Sequence, residues 1–223
     1  LDEDLRDEIL SYSFTIYYFD NGITEDEINE MFFRLNNGKP LSQIELTRAK
    51  AKSLDTIRRI GSHKLFDASL SEKAITKYTN EEIVIKSLVI LNVKTPSLDT
   101  KTVRNFVESF EISSESETTI TAIFDMIYDI HNIISETNKT VAKRIFTKTH
   151  LISIVPLINK MILENVNAES ASKFFEYFFG TKDTTSISED YNSSCVSGSA
   201  RMDNVTTRID ELESCYVDFI TEL

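Results

Sequence analysis

Apolar residues recur at three- and four-residue spacing along most of this chain, and short polar turns divide the repeats into helices. The longest repeat spans 118–137, where Ile120, Ile123, Phe124, Ile127, Ile130, Ile133 and Ile134 share one face. Residues 99–110 repeat Val103, Phe106, Val107 and Phe110, with Asp99 or Thr100 as cap. Residues 203–223 repeat Val205, Ile209, Leu212, Tyr216, Phe219 and Ile220. Residues 80–93, NEEIVIKSLVILNV, are apolar nearly all round. That run fits a buried helix or a buried strand; its length, the Asn80 cap and the acids of its first turn favour the helix. The pattern predicts further helices over 1–10, 43–52, 54–66 (with Gly61 as a weak point), 71–79, 140–147, 150–166 and 167–179. Pro156 starts or kinks its helix, because proline lacks the N–H an interior turn needs.

Two stretches break the helical pattern. Residues 14–19, FTIYYF, are β-branched and aromatic and are closed by Asp20-Asn21-Gly22, which predicts a strand. A lone strand leaves its backbone groups unpaired, so its mates are expected upstream of Leu1 or in another chain. Residues 181–201 are rich in Ser, Thr and Asp and read as a mobile loop.

Residues 24–45 carry the densest local signal. Thr24 with Glu27, and Ser42 with Glu45, each fit a capping box. Ile28, Met31, Phe32 and Leu35 mark one buried face between them. Asn36, Asn37 and Gly38 stop the first helix, and Pro40 follows.

Composition supports a helical fold. The 223 residues include only 5 Gly and 3 Pro, too few turns for a many-stranded sandwich, and 14 Phe and 8 Tyr supply a core. No apolar run reaches the roughly 18 residues of a membrane span, and no membrane partner is expected. The acidic start, LDEDLRDEIL, does not read as a signal peptide, and a cytoplasmic location is expected. Cys195 and Cys215 match no metal or redox spacing and read as reduced thiols. His63, His131 and His150 form no metal-binding arrangement, so no metal site is expected.

The net charge of −12 is uneven. Residues 1–31 hold ten acids and one base, residues 34–79 ten bases and four acids, and residues 81–223 twenty-two acids and thirteen bases. The basic stretch reads in two ways. It is a solvated face that balances the acidic N-terminus, or Arg48, Lys50, Lys52, Arg58, Arg59 and Lys64 mark a surface that faces phosphates. The aromatic cluster Phe174, Phe175, Tyr177, Phe178 and Phe179 is likewise either a helix buried on most sides or an aromatic dimer or partner surface.

The segment MFFRLNNGKPLSQIEL, residues 31–46, resembles the F-x-R-L-N-x-G-x-x-L-S-x-x-E-L signature of a bacterial and phage family. That family has a ParB/sulfiredoxin-like N-terminal domain, found in the small half of GmrSD-type, modification-dependent restriction proteins. The matching residues are Phe33, Arg34, Leu35, Asn36, Gly38, Leu41, Ser42, Glu45 and Leu46. The detailed match covers about residues 1–50, the C-terminal edge of that domain; residues 51–223 resemble the family's helical region only in class. The family's D-G-Q-Q-R motif does not occur in this sequence, and neither does the E-H-x-x-P nuclease signature. The resemblance implies that nucleotide or nuclease chemistry lies upstream of Leu1, with no cofactor in this chain and a nucleotide in the intact protein.

The expected fold is mainly α, a multi-helix domain with a small α/β remnant at its N-terminus. The expected function is a non-catalytic helical portion of a GmrSD-like DNA-processing or defence protein, which positions DNA, a nucleotide domain or a partner subunit. The alternative is a purely structural or protein-interaction helical domain. No catalytic residues are expected. The candidate nucleotide- or DNA-binding residues are Arg34, Asn36, Lys39, Arg48, Lys52, Arg58 and Arg59. Of these, Arg34 and Asn36 either pair and cap locally at a helix end or line a phosphate-holding cleft.

Overall fold

The computed structural model describes residues 10, 11, 13, 16, 18, 22–25, 27, 28, 31 and 40–221. The chain divides into two compact units, Leu1–Leu41 and Ser42–Leu223. The protein is mainly α, and no strand occurs among the described residues. The strand expected over 14–19 lies mostly outside the described residues; Ile16 and Tyr18, which are described, are exposed and not in a strand. The helix expected over 1–10 also lies almost wholly outside them.

In the first unit the Thr24–Glu27 capping box is formed. The Thr24 N–H donates to Glu27 Oε2 at 2.8 Å, and the Glu27 N–H donates to Thr24 Oγ1 at 3.3 Å. Ile28 and Met31, expected on a buried face, are exposed. A 3.6-residue repeat says which side of a helix is apolar, not what covers it.

Twelve helices run from Gln43 to Thr221. The first, α1 (Gln43–Ala49), starts on the second capping box: Ser42 accepts from the Glu45 N–H, and the Ser42 N–H donates to Glu45 Oε2 at 2.7 Å. The helix expected over 54–66 is two, α2 (Leu54–Gly61) and α3 (Lys64–Ser69), because the His63 ring captures the Leu65 N–H and restarts the helix. Gly61 is less a weak point than a close approach. A Cβ there would stand 3.1 Å from Glu81 Cγ, and the Gly61 carbonyl accepts from Asn80 Nδ2 at 2.9 Å. After the short α4 (Glu72–Thr76), Tyr78 takes a left-handed conformation (φ 60°) and starts α5 (Thr79–Asn92). Asn80 therefore caps its neighbour α2 and not its own helix.

α5 is the buried helix that its all-round apolar sequence predicts, with Ile83, Val84, Ile85 and Val89 fully enclosed. It packs against α2, α4, α6 (Thr100–Ser109) and α9 (Lys148–Leu163). Asp99 caps α6, accepting the Lys101 and Thr102 N–H groups and two hydroxyls; the hydroxyls of Ser97 and Thr102 hold its carboxyl well below the usual carboxylate range. The second inner helix is α7 (Ser114–Thr137), one turn longer than its apolar repeat because Ser113 caps it inside the polar stretch. α7 packs against α3, α8 (Lys139–Ile145), α9 and α10 (Ala168–Phe179). α9 runs through Pro156 without ending. Four of the five clustered aromatics of α10 — Phe174, Phe175, Phe178 and Phe179 — have no exposed surface, and Tyr177 alone reaches solvent. Each buried ring removes enough apolar surface from water to contribute about 2–3 kcal/mol.

Residues 181–201, expected as a mobile loop, carry α11 (Glu189–Ser194), bury Tyr191 completely and lead into α12 (Met202–Thr221). Few apolar residues are needed there because two arginines from the helices hold the main chain. Arg144 donates to the carbonyls of Phe179, Thr181 and Thr184, and Arg208 to those of Ser194 and Ser199.

Candidate functional site

The bases of residues 48–64 are matched by acids, almost all from distant helices. The Arg48 guanidinium clasps Glu81 with Nε at 2.5 Å and Nη2 at 3.1 Å, and lies 3.5 Å over the Tyr78 ring. That bidentate pair is shielded on both sides and is the strongest contact of the series. Lys50 meets Glu108 and Lys52 meets Glu111, each at 2.7 Å. Arg59 forms two 2.7 Å bonds to Glu117, and Lys64 sits 3.4 Å from Asp125 and over Tyr128. Arg58 pairs with Asp55 of its own helix. Among the described residues, the acids that meet these bases come from α2, α5, α7 and the end of α6, not from the acidic N-terminus. Arg34, Asn36 and Lys39 lie outside the described residues.

A different group of charges converges on the first turn of α9. Lys86 on α5 donates to Glu82 Oε1 at 2.6 Å, and Lys148 reaches both oxygens of the same carboxylate at 3.1 and 3.0 Å. Burial raises the Glu82 carboxyl, but Lys86 and then Lys148 outweigh it and leave the group below its ordinary range. Across from them lies Arg208, only 2% exposed. Its Nε donates to Ser153 Oγ at 2.9 Å, and its two Nη atoms donate to the Ser194 and Ser199 carbonyls at 2.7 Å. Among the described residues no carboxylate stands within ion-pair distance of it. Lys86, Lys148, Thr149, Ser199 and Arg208 line a cavity of about 120 Å³. A second cavity, about 220 Å³ and walled by Ile44, Ile85, Leu98 and Val103, shares Lys86 and Leu98 with the first.

Behind Arg208 is a buried polar pair. His150 Nδ1 stands 2.7 Å from Tyr191 Oη, with the two rings stacked. Burial, reinforced by the charges of Arg208 and Arg144, pushes the imidazole down to about 4, so His150 is neutral at pH 7. Burial also raises the Tyr191 hydroxyl well above its ordinary value and raises the Cys195 thiol. A neutral imidazole, a protonated phenol and a protonated thiol are inert groups that fill a core. Both cysteines are free, and among the described residues no three of His, Cys, Asp and Glu gather as metal ligands.

Lys86, Lys148 and Arg208 were not among the residues expected to bind anything, although each carries a sequence signal. Lys86 is the one charge inside the apolar run IVIKSLVIL. Arg208 sits between Val205 and Leu212 at helical spacing, a charge on the apolar face of α12. Lys148 opens a helix whose first turn has no acid.

No family model, no curated protein and no solved structure matches the chain. Among the described residues no helix is long and apolar enough to cross a membrane.

Proposed function

We propose that the helical unit is a non-catalytic interaction domain, a rigid mount in which α1 and α2 are fixed to the helical body. The observation that supports this reading is the neutralised basic stretch. Five of the six bases of residues 48–64 are taken up as stitches to α5, the end of α6 and α7, the sixth, Arg58, pairs within α2, and a matched base offers little net field to a phosphate backbone. Hydrogen exchange tests the mount: α1 amides are expected to exchange as slowly as those near the ends of α5, and free opening of α1 would overturn it. Fluorescence anisotropy with a labelled DNA duplex at low salt tests the opposite case. Saturable binding that falls with salt and is lost in a Lys52→Glu/Arg59→Glu variant would replace this reading with DNA positioning.

A second reading rests on the resemblance of residues 31–46 to the GmrSD-like signature, within which the Ser42–Glu45 capping box is formed. In that reading Arg34, Asn36 and Lys39 hold a DNA phosphate or a nucleotide for a partner or neighbouring domain. Arg34→Ala would then weaken binding without lowering thermal stability, and unchanged binding by titration would reject it.

A further inference from the structure

The paired cavities at the first turn of α9 have the chemistry of a binding site. Three cations, Lys86, Lys148 and Arg208, face one carboxylate, Glu82, so the cluster carries an excess of positive charge. Arg208 is the decisive member. A guanidinium that is 98% shielded normally sits against a carboxylate, because neutral carbonyls offset only part of the cost of removing its charge from water. Its three hydrogen bonds use three of the five N–H donors such a group has, and its side chain lines the cavity. The helix contributes in the same direction. Thr147 makes no side-chain cap bond and the first turn of this 16-residue helix holds no acid, so its positive end is left without a side-chain acceptor. Lys148 and Thr149 of that turn line the cavity. On the far side of Lys86 and Leu98, the second cavity is walled by Ile44, Ile85 and Val103 and continues the site with apolar surface.

We infer that this cleft binds a small phosphate monoester, its phosphoryl group between Lys86, Lys148 and Arg208 and its organic part against Ile44, Ile85, Leu98 and Val103. The excess of cations suits a dianion, which supplies the counter-charge that Arg208 lacks among the described residues. The cavity that holds the cations has room for one phosphoryl group, and the adjoining one for a short aliphatic substituent. Recognition of this kind does not depend on whether the bases of residues 48–64 bind phosphates.

The test uses the full chain and three probes: inorganic phosphate, hexyl phosphate and hexanol, titrated by calorimetry at low ionic strength. Hexyl phosphate is expected to bind about tenfold more tightly than phosphate, and hexanol not measurably. Lys148→Ala, at a side chain 42% exposed and outside the core, is expected to weaken hexyl phosphate about tenfold with an unchanged circular dichroism spectrum. Val103→Asp, which charges the apolar lobe, is expected to weaken hexyl phosphate and leave phosphate untouched. Should Val103→Asp unfold the chain, Ile44→Gln, at a half-buried position of the same lobe, takes its place. Equal binding of phosphate and hexyl phosphate, binding of hexanol as strong as that of its phosphate, or affinity unchanged in Lys148→Ala would each overturn the inference.

Discussion

The two ends of the helical unit satisfy their arginines in opposite ways. At the N-terminal seam, Arg48 meets Glu81 in a bidentate pair, and its charge is cancelled within the fold. At the C-terminal end, Arg144 and Arg208 donate to main-chain carbonyls, and among the described residues no carboxylate pairs with them. Both devices order chain that has too few apolar residues to order itself. They leave different surfaces behind. The seam is electrically quiet, although its sequence is the most basic part of the chain. The C-terminal end holds two guanidiniums without a paired carboxylate among the described residues, although it lies in an acidic stretch. Local charge count in sequence therefore does not report where charge is left uncompensated, because that depends on which acids the packing of the helices brings to which bases.

The comparison can be broken at either end. The largest effect is expected from Arg208→Ala, which leaves the Ser194 and Ser199 carbonyls and Ser153 without their donor in the interior. A loss of about 4 kcal/mol in urea unfolding is expected, with hydrogen exchange accelerating over 189–201 before the rest. Glu81→Ala strands Arg48 over the Tyr78 ring and is expected to cost about 3 kcal/mol; a loss no larger than that of an exposed pair would show that the seam is not the rigid joint its geometry implies. Acid reports on the core behind Arg208. The folded-state value of His150 is lowered to about 4 from 6.5, so at pH 7 both folded and unfolded chains hold it neutral. As pH falls below about 6.5 the unfolded chain takes up the proton first, and stability is lost progressively down to about pH 4. The loss is on the order of 3 kcal/mol. Denaturant midpoints measured across that window should slope downward, and His150→Phe should flatten the slope. The smallest effect belongs to the double change Arg59→Ala/Glu117→Ala. That pair is solvent-facing, and no measurable shift in melting temperature is expected.

The helices were largely legible because capping and periodicity are local. Ser42, Ser71, Asp99 and Asn167 each cap the helix that their positions imply. The apolar repeat of α7 is, with Met126 added, the set of residues that its core buries, Ile133 alone being half-buried. Asn80 is the instructive exception. Its type and position fit an N-cap, but Tyr78 begins the helix from a left-handed turn under Arg48, and Asn80 turns to the Gly61 carbonyl of another helix. The Ser-rich stretch 181–201 was unreadable for the same reason. Its order comes from Arg144 and Arg208, which lie outside the stretch, and from Tyr191 packed among Phe178, Phe179 and His150.

The sequence by itself determined the helical class, most helix starts, the two capping boxes of residues 24–45 and the apolar stripes that become α5, α7 and α10. These depend on neighbours within about four residues. Only the tertiary structure decided which charges cancel. Glu81, Glu111 and Glu117 stand 33 to 59 residues from the bases they meet, and Arg208 stands 60 and more from Lys148 and Lys86, so their meeting depends on helix packing and leaves no periodic trace in the chain.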